Sequence, residues 1–320
     1  MEPKEVHRPD KYRLTIGPHP PILTISSGQK VQVSVPDCDG IGPDGRQLPL
    51  DCFEQCQAGP TWIANPLAGP YYIEDANVDD SLTVQIDAIE IDRDFGRTGI
   101  SAQQIAIPQG HFKCDTDDDH NVFIPCKEYR WEIDHQKKVA RLALQHEKRA
   151  SIEIPLNPSV GFIAVAPPYG QYCNGLGIGN FGGNLDIPAI GPGSRLSLPV
   201  FAQGACLYLG DLHAAQGDGE IIGGAIEVGG RVDFSVQVNK GKKIDWPRLV
   251  TDTDIGVIAS GHSIDEAIHQ AYAQLVLWLH EDYEFDRWDA LNVVSQTGRA
   301  RPGNSKTAIC TIAKSLIWQS

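Results

Sequence analysis

The chain has 320 residues, of which 41% are hydrophobic and 21% are charged, and its formal net charge is −14. This length and composition are typical of a globular protein with one large domain or with two domains that share an interface. The acidic excess argues against nucleic-acid binding, which depends on cationic contacts to phosphate, and the lack of a long apolar run argues against a membrane span.

Short strands are predicted along most of the chain, because apolar and polar residues alternate between turns rich in glycine and proline. In residues 22–37, ILTISSGQKVQVSVPD, two such strands flank a glycine turn. Further strands are predicted over residues 81–91, 128–134, 138–144, 151–156, 160–167, 195–201, 205–213 and 231–238. This pattern favours a mainly β protein with a sandwich or barrel-like core.

Helices are predicted only near the C-terminus. Ser263 is a good N-cap, and Glu266 three residues later completes a capping box. One apolar stripe follows it, made of Ile264, Ile268, Ala271, Leu275 and Leu279. A second helix is predicted from Asp286 to Gln296, and TAICTIAKSLIW at the end fits a helix or a strand. We therefore predict a β-rich core in residues 1–250 and an α+β portion in 251–320, packed together or within a single domain.

The segment 210–227, GDLHAAQGDGEIIGGAIE, contains the first candidate site. Side chains on a strand alternate between its faces, so Asp211 and His213 share one face of the predicted strand. A carboxylate and an imidazole in this arrangement can bind one divalent ion. Glu220 and Glu227 lie downstream and could supply a further ligand or a general base. A polar strand end followed by a tight turn is the alternative, and the pattern alone favours it.

The segment 175–186, GLGIGNFGGNLD, contains the motif GxGxxG. In a dinucleotide-binding protein this motif opens a helix, whereas IPAIGPG follows here and excludes a helix. We interpret the segment as a glycine-lined loop that directs Asn180, Asn184 and Asp186 into a site. A purely structural turn is the alternative.

Two further segments carry candidate residues. Asp37 and Asp39 follow a predicted strand end in VPDCDGIGPDG, where they could bind a metal or form an Asx turn, and the pattern favours the turn. Cys173 could act as a nucleophile or be a buried cysteine, and burial is the more common situation.

The first residues, the cysteines and one acidic run bear on where the protein is located. The polar first residues lack the apolar segment of a secretory signal, so we expect a cytoplasmic protein. The eight cysteines form no CxxC pair and are predicted to be free thiols, with a Cys52–Cys56 pair as the alternative. The acidic run CDTDDDH, residues 114–120, is predicted to be a solvated loop.

Four blocks of the sequence together resemble the acetamidase/formamidase family. They are NPLAGPYYIEDANVDDSLTVQIDAIEI, IPLNPSVGFIAVAPP, GNFGGNLD and GDLHAAQGDGEIIGGAIE, and they occur in the family's order. The resemblance implies a metal-dependent amidohydrolase in a β-sandwich fold with a smaller C-terminal α+β portion. It also implies a homodimer or a higher homo-oligomer, and a divalent ion for which zinc is favoured and calcium is the alternative. PDCDG departs from the family's usual Thr-x-Asp-Ala at this place.

The resemblance also implies roles for individual residues. The implied metal ligands are Asp37, Asp211, His213 and Glu227. The implied catalytic residues are Glu220 as the general base, with Gln216 and Asn180 to stabilise the oxyanion. The implied substrate-binding residues are Gly182, Gly183, Asn184, Asp186, Asp39 and Cys173.

The function that the resemblance implies is hydrolysis of the C–N bond of a small amide. The substrate is of the formamide or acetamide type, or is a cyclic γ-lactam, and the products are a carboxylate and ammonia or an amino acid. Either Glu220 or Glu227 could be the base. Two alternatives remain: a metal-binding or small-molecule-binding protein without activity on the same scaffold, and a thiol-dependent amidase that uses Cys173.

Overall fold

A computed structural model describes residues 6–54, 63–100, 127–146 and 148–317 of the chain. The strands up to residue 184 are β1 (Val6–His7), β2 (Thr15–Ile16), β3 (Leu23–Ile25), β4 (Lys30–Val35), β5 (Leu67–Ile73), β6 (Ser81–Ile91), β7 (Phe95–Ile100), β8 (Lys127–Asp134), β9 (Val139–Ala143), β10 (Ser151–Pro155), β11 (Ser159–Ala164), β12 (Cys173–Asn174), β13 (Ile178–Gly179) and β14 (Gly182–Asn184). The later elements are β15 (Arg195–Pro199), β16 (Leu207–His213), β17 (Glu227–Val228), β18 (Gly230–Asn239), β19 (Arg248–Val250), β20 (Asp254–Ser260), α1 (Ile264–Tyr283), α2 (Arg287–Thr297), β21 (Arg299–Pro302) and β22 (Thr307–Ala313).

Two large sheets enclose the core. One has nine strands in the order β1-β4-β18-β6-β15-β19-β20-β22-β21. The other has eleven strands, with the main order β10-β9-β8-β7-β17-β16-β11-β14-β13, and β5 joins it by pairing with β16 and β3. Buried side chains of both sheets form one continuous cluster, in which Tyr71 of β5 and Phe234 of β18 lie 5.8 Å apart between ring centroids. This is a β-sandwich, as the sequence predicts.

Alternating side chains explain why the strands face this core. In β4 the valines at positions 31, 33 and 35 are buried, while Gln32 and Ser34 between them are partly exposed. A strand of this kind gains about 25 cal/mol for each square ångström of apolar surface that leaves water, so the valine face fixes its orientation. The predicted strands are confirmed within a few residues at each end, including Ser81–Ile91, which has the predicted bounds.

The C-terminal part packs its helices on the outer face of the nine-stranded sheet. Ser263 caps α1 by accepting the Glu266 amide, and the Glu266 carboxylate accepts the His262 amide, so the predicted capping box is displaced by one residue on its second bond. The helices cover a second apolar cluster of Ile255, Val257, Ala259, Ala271, Leu275, Trp278, Leu279, Ala290, Val294, Cys310 and Ile312. The final apolar segment is strand β22 followed by a short turn of 3₁₀ helix.

The nine-stranded sheet runs across the predicted boundary at residue 250. Strand β20 pairs with β19 on one side and with β22 on the other, so the C-terminal strands extend the sheet of the core. The division into residues 1–250 and 251–320 stays a prediction.

The described residues also bear on the thiols and on membrane association. Cys38, Cys52, Cys173, Cys206 and Cys310 are free, whereas Cys56, Cys114 and Cys126 lie outside the described residues. The acidic run 114–120 lies outside them as well. Within the described ranges, none of the helices has the length and apolar character needed to cross a bilayer.

Candidate active site

The predicted metal-binding residues converge at one end of the eleven-stranded sheet. Strand β16 carries Asp211 and His213, and β17 sets Glu227 directly opposite His213. On the other side of β16, strand β11 pairs Ser159 with His213. Asp186 follows β14, the next strand after β11 in the sheet. Segments β16, β17 and the end of β14 therefore deliver three acidic side chains around a single histidine.

His213 lies at the centre of this cluster and is almost completely buried. Its Nε2 atom is 3.5 Å from Asp211 Oδ1 and 3.6 Å from Glu227 Oε2. Within the part of the chain that the structure describes, neither ring nitrogen has a hydrogen-bond partner, and the same holds for Glu227 Oε2 and Asp186 Oδ1. Buried polar atoms without partners are costly, so these atoms, which belong to three side chains of one cluster, fit a charged ligand.

The backbone of the cluster is strained at four polar residues. Asn65, Asp186, Asp211 and Glu220 have positive φ values of 47°, 50°, 58° and 42°. Left-handed backbone at residues other than glycine costs free energy and is concentrated at functional sites. At Asp211 one pair is absent from the ladder between β16 and β11, although the register is the same on both sides.

Gly161 of β11 forms the floor beneath the cluster. A Cβ atom at this position would lie 2.6 Å from His213 Cε1, 2.7 Å from Asp211 Oδ2 and 2.8 Å from Asp186 Oδ1. No side chain fits at such distances, so the converging groups require glycine here. The sequence prediction missed Gly161, since it lies in an apolar strand with no polar neighbour to mark it.

Three asparagine side chains orient the carboxylates. Asn65 Nδ2 donates to Asp211 Oδ2 at 3.2 Å and also to Asn184 Oδ1. Asp186 Oδ2 accepts hydrogen bonds from Asn184 Nδ2 and, at 2.8 Å, from Asn304 Nδ2. Asn184 was predicted, whereas Asn65 and Asn304 were missed, although Asn65 lies in a block that resembles the family.

The pKa values of the cluster are shifted upwards. Burial raises the pKa of Asp186 to about 7, that of Glu227 to about 8 and that of Glu220 to about 10, and neighbouring carboxylates add to the shift. Burial lowers the pKa of His213, but Glu227 and Asp211 outweigh it, so the net value is well above the usual one. Without a bound cation, the cluster therefore holds protons near neutral pH.

These shifts predict how pH affects the stability of protein freed of metal. A carboxyl whose pKa is higher in the folded state stabilises that state at low pH and loses this contribution as pH rises through the folded pKa. We expect the melting temperature of chelator-treated protein to fall between pH 5 and pH 8, since each pKa unit is worth about 1.4 kcal/mol. Thermal unfolding of the chelator-treated protein at several pH values in this range measures the change in melting temperature.

The matched variant for this experiment is Glu220→Gln, which removes the carboxyl with the highest of the three values and should make the fall shallower. Asp80 and Glu128, whose pKa values are lowered, titrate below this range. Burial lowers the pKa values of His7 and His19, which act in the opposite sense over part of the range, but both histidines are unchanged in Glu220→Gln, so the comparison isolates the cluster. A melting temperature that rises from pH 5 to pH 8 in the chelated protein would contradict the prediction.

Asp37 has partners of a different kind from those of the cluster. Its Oδ1 atom accepts the backbone N–H groups of Asp39 and Ile41 at 3.1 and 2.7 Å, which is the Asx turn that the pattern favours. Its Oδ2 atom forms a buried ion pair with Arg93 at 3.1 Å. Its role as a metal ligand stays a prediction, but both of its oxygens already have partners.

The other predicted residues divide between the cluster and its surroundings. Gln216 Nε2 donates to the backbone oxygens of Asp186 and Gly303, so it ties two loops together. Asp39 is exposed at the rim, where it pairs with Arg97 at 3.2 Å. Glu220 is partly buried beside Asp186 and His213.

The glycine loop is a hairpin that closes next to β11. Gly182 and Gly183 belong to β14 and pair with Ala164 and Ile163. Asn180 lies in the turn between β13 and β14, and no hydrogen bond to the cluster is found for it within the described residues. Cys173 is half-buried in β12, paired with Ile16 of β2, and burial raises the pKa of its thiol.

Two separate sets of side chains have the spacing of metal donors. One is Cys38, Asp211 and Glu227, the other is Asp186, His213 and Glu220, and in each set the donor atoms lie within 4.8 Å of one another. Donors about 2.1 Å from a tetrahedral zinc ion are about 3.4 Å apart, which is close to the two distances from His213 Nε2. Together with the unpartnered buried atoms, this spacing shows that the cluster fits a divalent ion.

Comparison with known proteins gives one consistent family. The model of the acetamidase/formamidase family matches residues 178–281, which include most of the cluster. An acetamidase from Mycolicibacterium smegmatis is 56% identical over 61 residues, which are 19% of this chain and 15% of that protein. A formamidase from Methylophilus methylotrophus is 40% identical over 113 residues, which are 30% of this chain and 28% of that protein. The matched stretches thus span less than a third of either relative.

A solved structure extends the similarity over the whole chain. The crystal structure of an acetamidase from Yersinia enterocolitica has a TM-score of 0.79 and 31% sequence identity, and the match covers 99% of this chain and 94% of that one. The names of these relatives denote hydrolases of non-peptide carbon–nitrogen bonds, the enzyme class that the sequence predicts. On this evidence the chain belongs to the acetamidase/formamidase family.

Proposed function

We propose that this protein hydrolyses the C–N bond of a small amide with the help of a divalent ion held by Asp211, His213 and Glu227. The observation that carries the proposal is the set of buried donor atoms without partners around His213. A protein that needed this cluster only for folding would pair these atoms with one another or with the backbone. The names of the relatives, acetamidase and formamidase, support a small acyclic amide as the substrate, and a γ-lactam is the further candidate.

The ion is proposed to be zinc. An imidazole nitrogen with two carboxylate oxygens is a donor set that catalytic zinc sites use, with one position left open. Calcium prefers a larger set made of oxygen atoms alone, so it fits less well. When bound, such an ion lowers the pKa of a water molecule and polarises the amide carbonyl.

Glu220 is the proposed general base. Glu227 Oε1 accepts the Ala225 amide at 2.7 Å and its Oε2 faces His213, so both of its oxygens have a structural role. Glu220 is less buried and lies beside Asp186, with which it can share a proton. A carboxyl pair of this kind can take a proton from the attacking water and return it to the leaving nitrogen.

The amides bound to Asp186 keep its carboxyl in place during this transfer. Asn184 and Asn304 both donate to Oδ2, so Oδ1 is the atom presented to Glu220 and His213. Gln216 is proposed to position the Asp186 loop, because its amide nitrogen is already bound to backbone oxygens. Because the amide of Gln216 is occupied in this way, we no longer assign the oxyanion to Gln216 or Asn180. A bound ion would supply that stabilisation.

The test of metal dependence is a measurement of metal content and turnover on the same preparation. Protein purified without chelator is expected to contain zinc and to release ammonia from formamide or acetamide. Removal of the ion with a chelator should abolish turnover, and added zinc should restore it. A metal-free preparation with full activity would contradict the mechanism, and an occupied site without turnover would favour the binding protein.

The thiol-dependent alternative has a separate test. A nucleophilic cysteine needs a lowered pKa, whereas burial raises the pKa of Cys173. We expect Cys173→Ser to hydrolyse amides at a rate close to that of the unmodified chain. Loss of turnover in this variant, with its zinc content unchanged, would move the chemistry to the thiol.

A further inference from the structure

Cys38 lies in the acidic cluster, although it was predicted only to be a free thiol. Its Sγ atom is within 4.8 Å of a carboxylate oxygen of Asp211 and of one of Glu227. The residue is half-buried in the loop that follows β4, and its thiol is free. Sulfur and two carboxylates at this spacing form a set of metal donors.

The loop holds Cys38 in this orientation through its neighbours. The side chain of Asp37 is bound by the amides of Asp39 and Ile41 and by the guanidinium of Arg93, so both of its oxygens already have partners. The carbonyl oxygen of Cys38 accepts the Asn65 amide at 2.8 Å, while the Asn65 side chain donates to Asp211. One asparagine thus fixes Cys38 and Asp211 relative to each other.

Independent evidence for a ligand comes from His213 and Glu227. The imidazole is 1% exposed and both of its nitrogens lack hydrogen-bond partners among the described residues, and so does Glu227 Oε2. Arg93 and Arg97 pair with the carboxylates on either side of Cys38, Asp37 and Asp39, and not with the carboxylates beside its sulfur.

We propose that Cys38 is a thiolate donor to the same ion that Asp211, His213 and Glu227 bind, and that it makes the site selective for zinc over calcium and magnesium. This inference rests on the proposed metal dependence. Ion binding would release the thiol proton to solvent, because a coordinating thiol is deprotonated. A catalytic zinc ion can take five donors, so four protein donors would still leave one position open for water. Soft sulfur donors favour zinc, and calcium and magnesium avoid them.

Cobalt substitution tests the sulfur ligand without measuring activity. Cobalt(II) bound by a thiolate shows a near-ultraviolet charge-transfer band. We expect this band in the cobalt-loaded protein and its loss in Cys38→Ser, which keeps the size of the side chain. Cys52→Ser is the matched control, because Cys52 is also a half-buried free thiol but lies outside the cluster, and this variant should keep the band.

Two further measurements complete the experiment. Zinc affinity of Cys38→Ser should fall at least about tenfold, since even groups behind the ligands contribute this much. In the unmodified protein, bound zinc should slow alkylation of Cys38, measured by mass spectrometry of its peptide. Circular dichroism checks that Cys38→Ser folds. The alkylation experiment uses the unmodified protein, so its result does not depend on the folding of the variant.

The outcomes separate this inference from the proposed function. Cobalt-loaded, active protein without the band, or a band that survives in Cys38→Ser, overturns the sulfur ligand and leaves metal-dependent hydrolysis intact. Protein that binds neither cobalt nor zinc overturns both. Loss of the band in Cys38→Ser together with unchanged alkylation of Cys38 in the presence of zinc also contradicts the proposal, because a ligand must be shielded by its ion.

Discussion

Replacing His213 with alanine is expected to abolish zinc binding and to lower kcat/KM by about a thousandfold or more. His213 is the one nitrogen donor that we propose for the ion, and its Nε2 lies between Asp211 Oδ1 and Glu227 Oε2. A catalytic ion supplies several kcal/mol of transition-state stabilisation, and each 1.4 kcal/mol is a factor of ten in rate. Zinc content by elemental analysis and ammonia release from acetamide measure the two effects.

The fold of this variant should persist. The carboxyl groups around His213 have raised pKa values, so they can accept protons when the ion is lost. The matched control is His269→Ala, which changes an exposed histidine of α1 and should leave both zinc content and turnover unchanged. If His213→Ala keeps its metal and its turnover, the active site lies elsewhere.

Gly161→Ala is expected to lower kcat/KM at least about a hundredfold and to destabilise the protein. The added methyl group would lie under 3 Å from atoms of His213, Asp211 and Asp186. Overpacking at a buried site costs about 1–3 kcal/mol, and a shift of 1 Å in catalytic groups can cost about a hundredfold in rate. Because the methyl group pushes the proposed ligands apart, zinc affinity should fall with activity.

The control for this variant is Gly99→Ala, the same substitution in strand β7. A Cβ at Gly99 meets no heavy atom within 4 Å among the described residues, and no left-handed backbone is required there. This control should therefore keep its stability and its activity. Full turnover and zinc content in Gly161→Ala would show that the cluster is not the catalytic site.

Local patterns were sufficient for most of the fold. Alternating valines at 31, 33 and 35 predicted β4, and the Ser263–Glu266 pair predicted the start of α1, because both signals lie within a few residues of chain. The final segment was ambiguous, because β22 is buried on both faces and its continuous apolar run fits either element. Contacts with β20 on one side and β21 on the other decide in favour of a strand.

The site was predictable only where its residues are close in sequence. Asp211 and His213 are two residues apart in one strand, so the sequence predicts that they are neighbours, and their Nε2 to Oδ1 distance of 3.5 Å agrees with this. The left-handed backbone at Asp211 departs from the regular alternation on which the prediction rests. Asn65 and Asn304 come from distant segments, and a lone asparagine carries no signal of its partner. Gly161 is marked only by the side chains that converge on it.

The sequence by itself determined a β-rich chain of this family, with acidic residues and a histidine near one strand end. The tertiary structure decided which of these groups face each other. In the structure, Asp37 forms an ion pair with Arg93, and Cys38 lies beside Asp211 and Glu227. The physical reason is that neighbouring residues in a loop can point to opposite sides, and the side is chosen by hydrogen bonds and ion pairs to residues far along the chain.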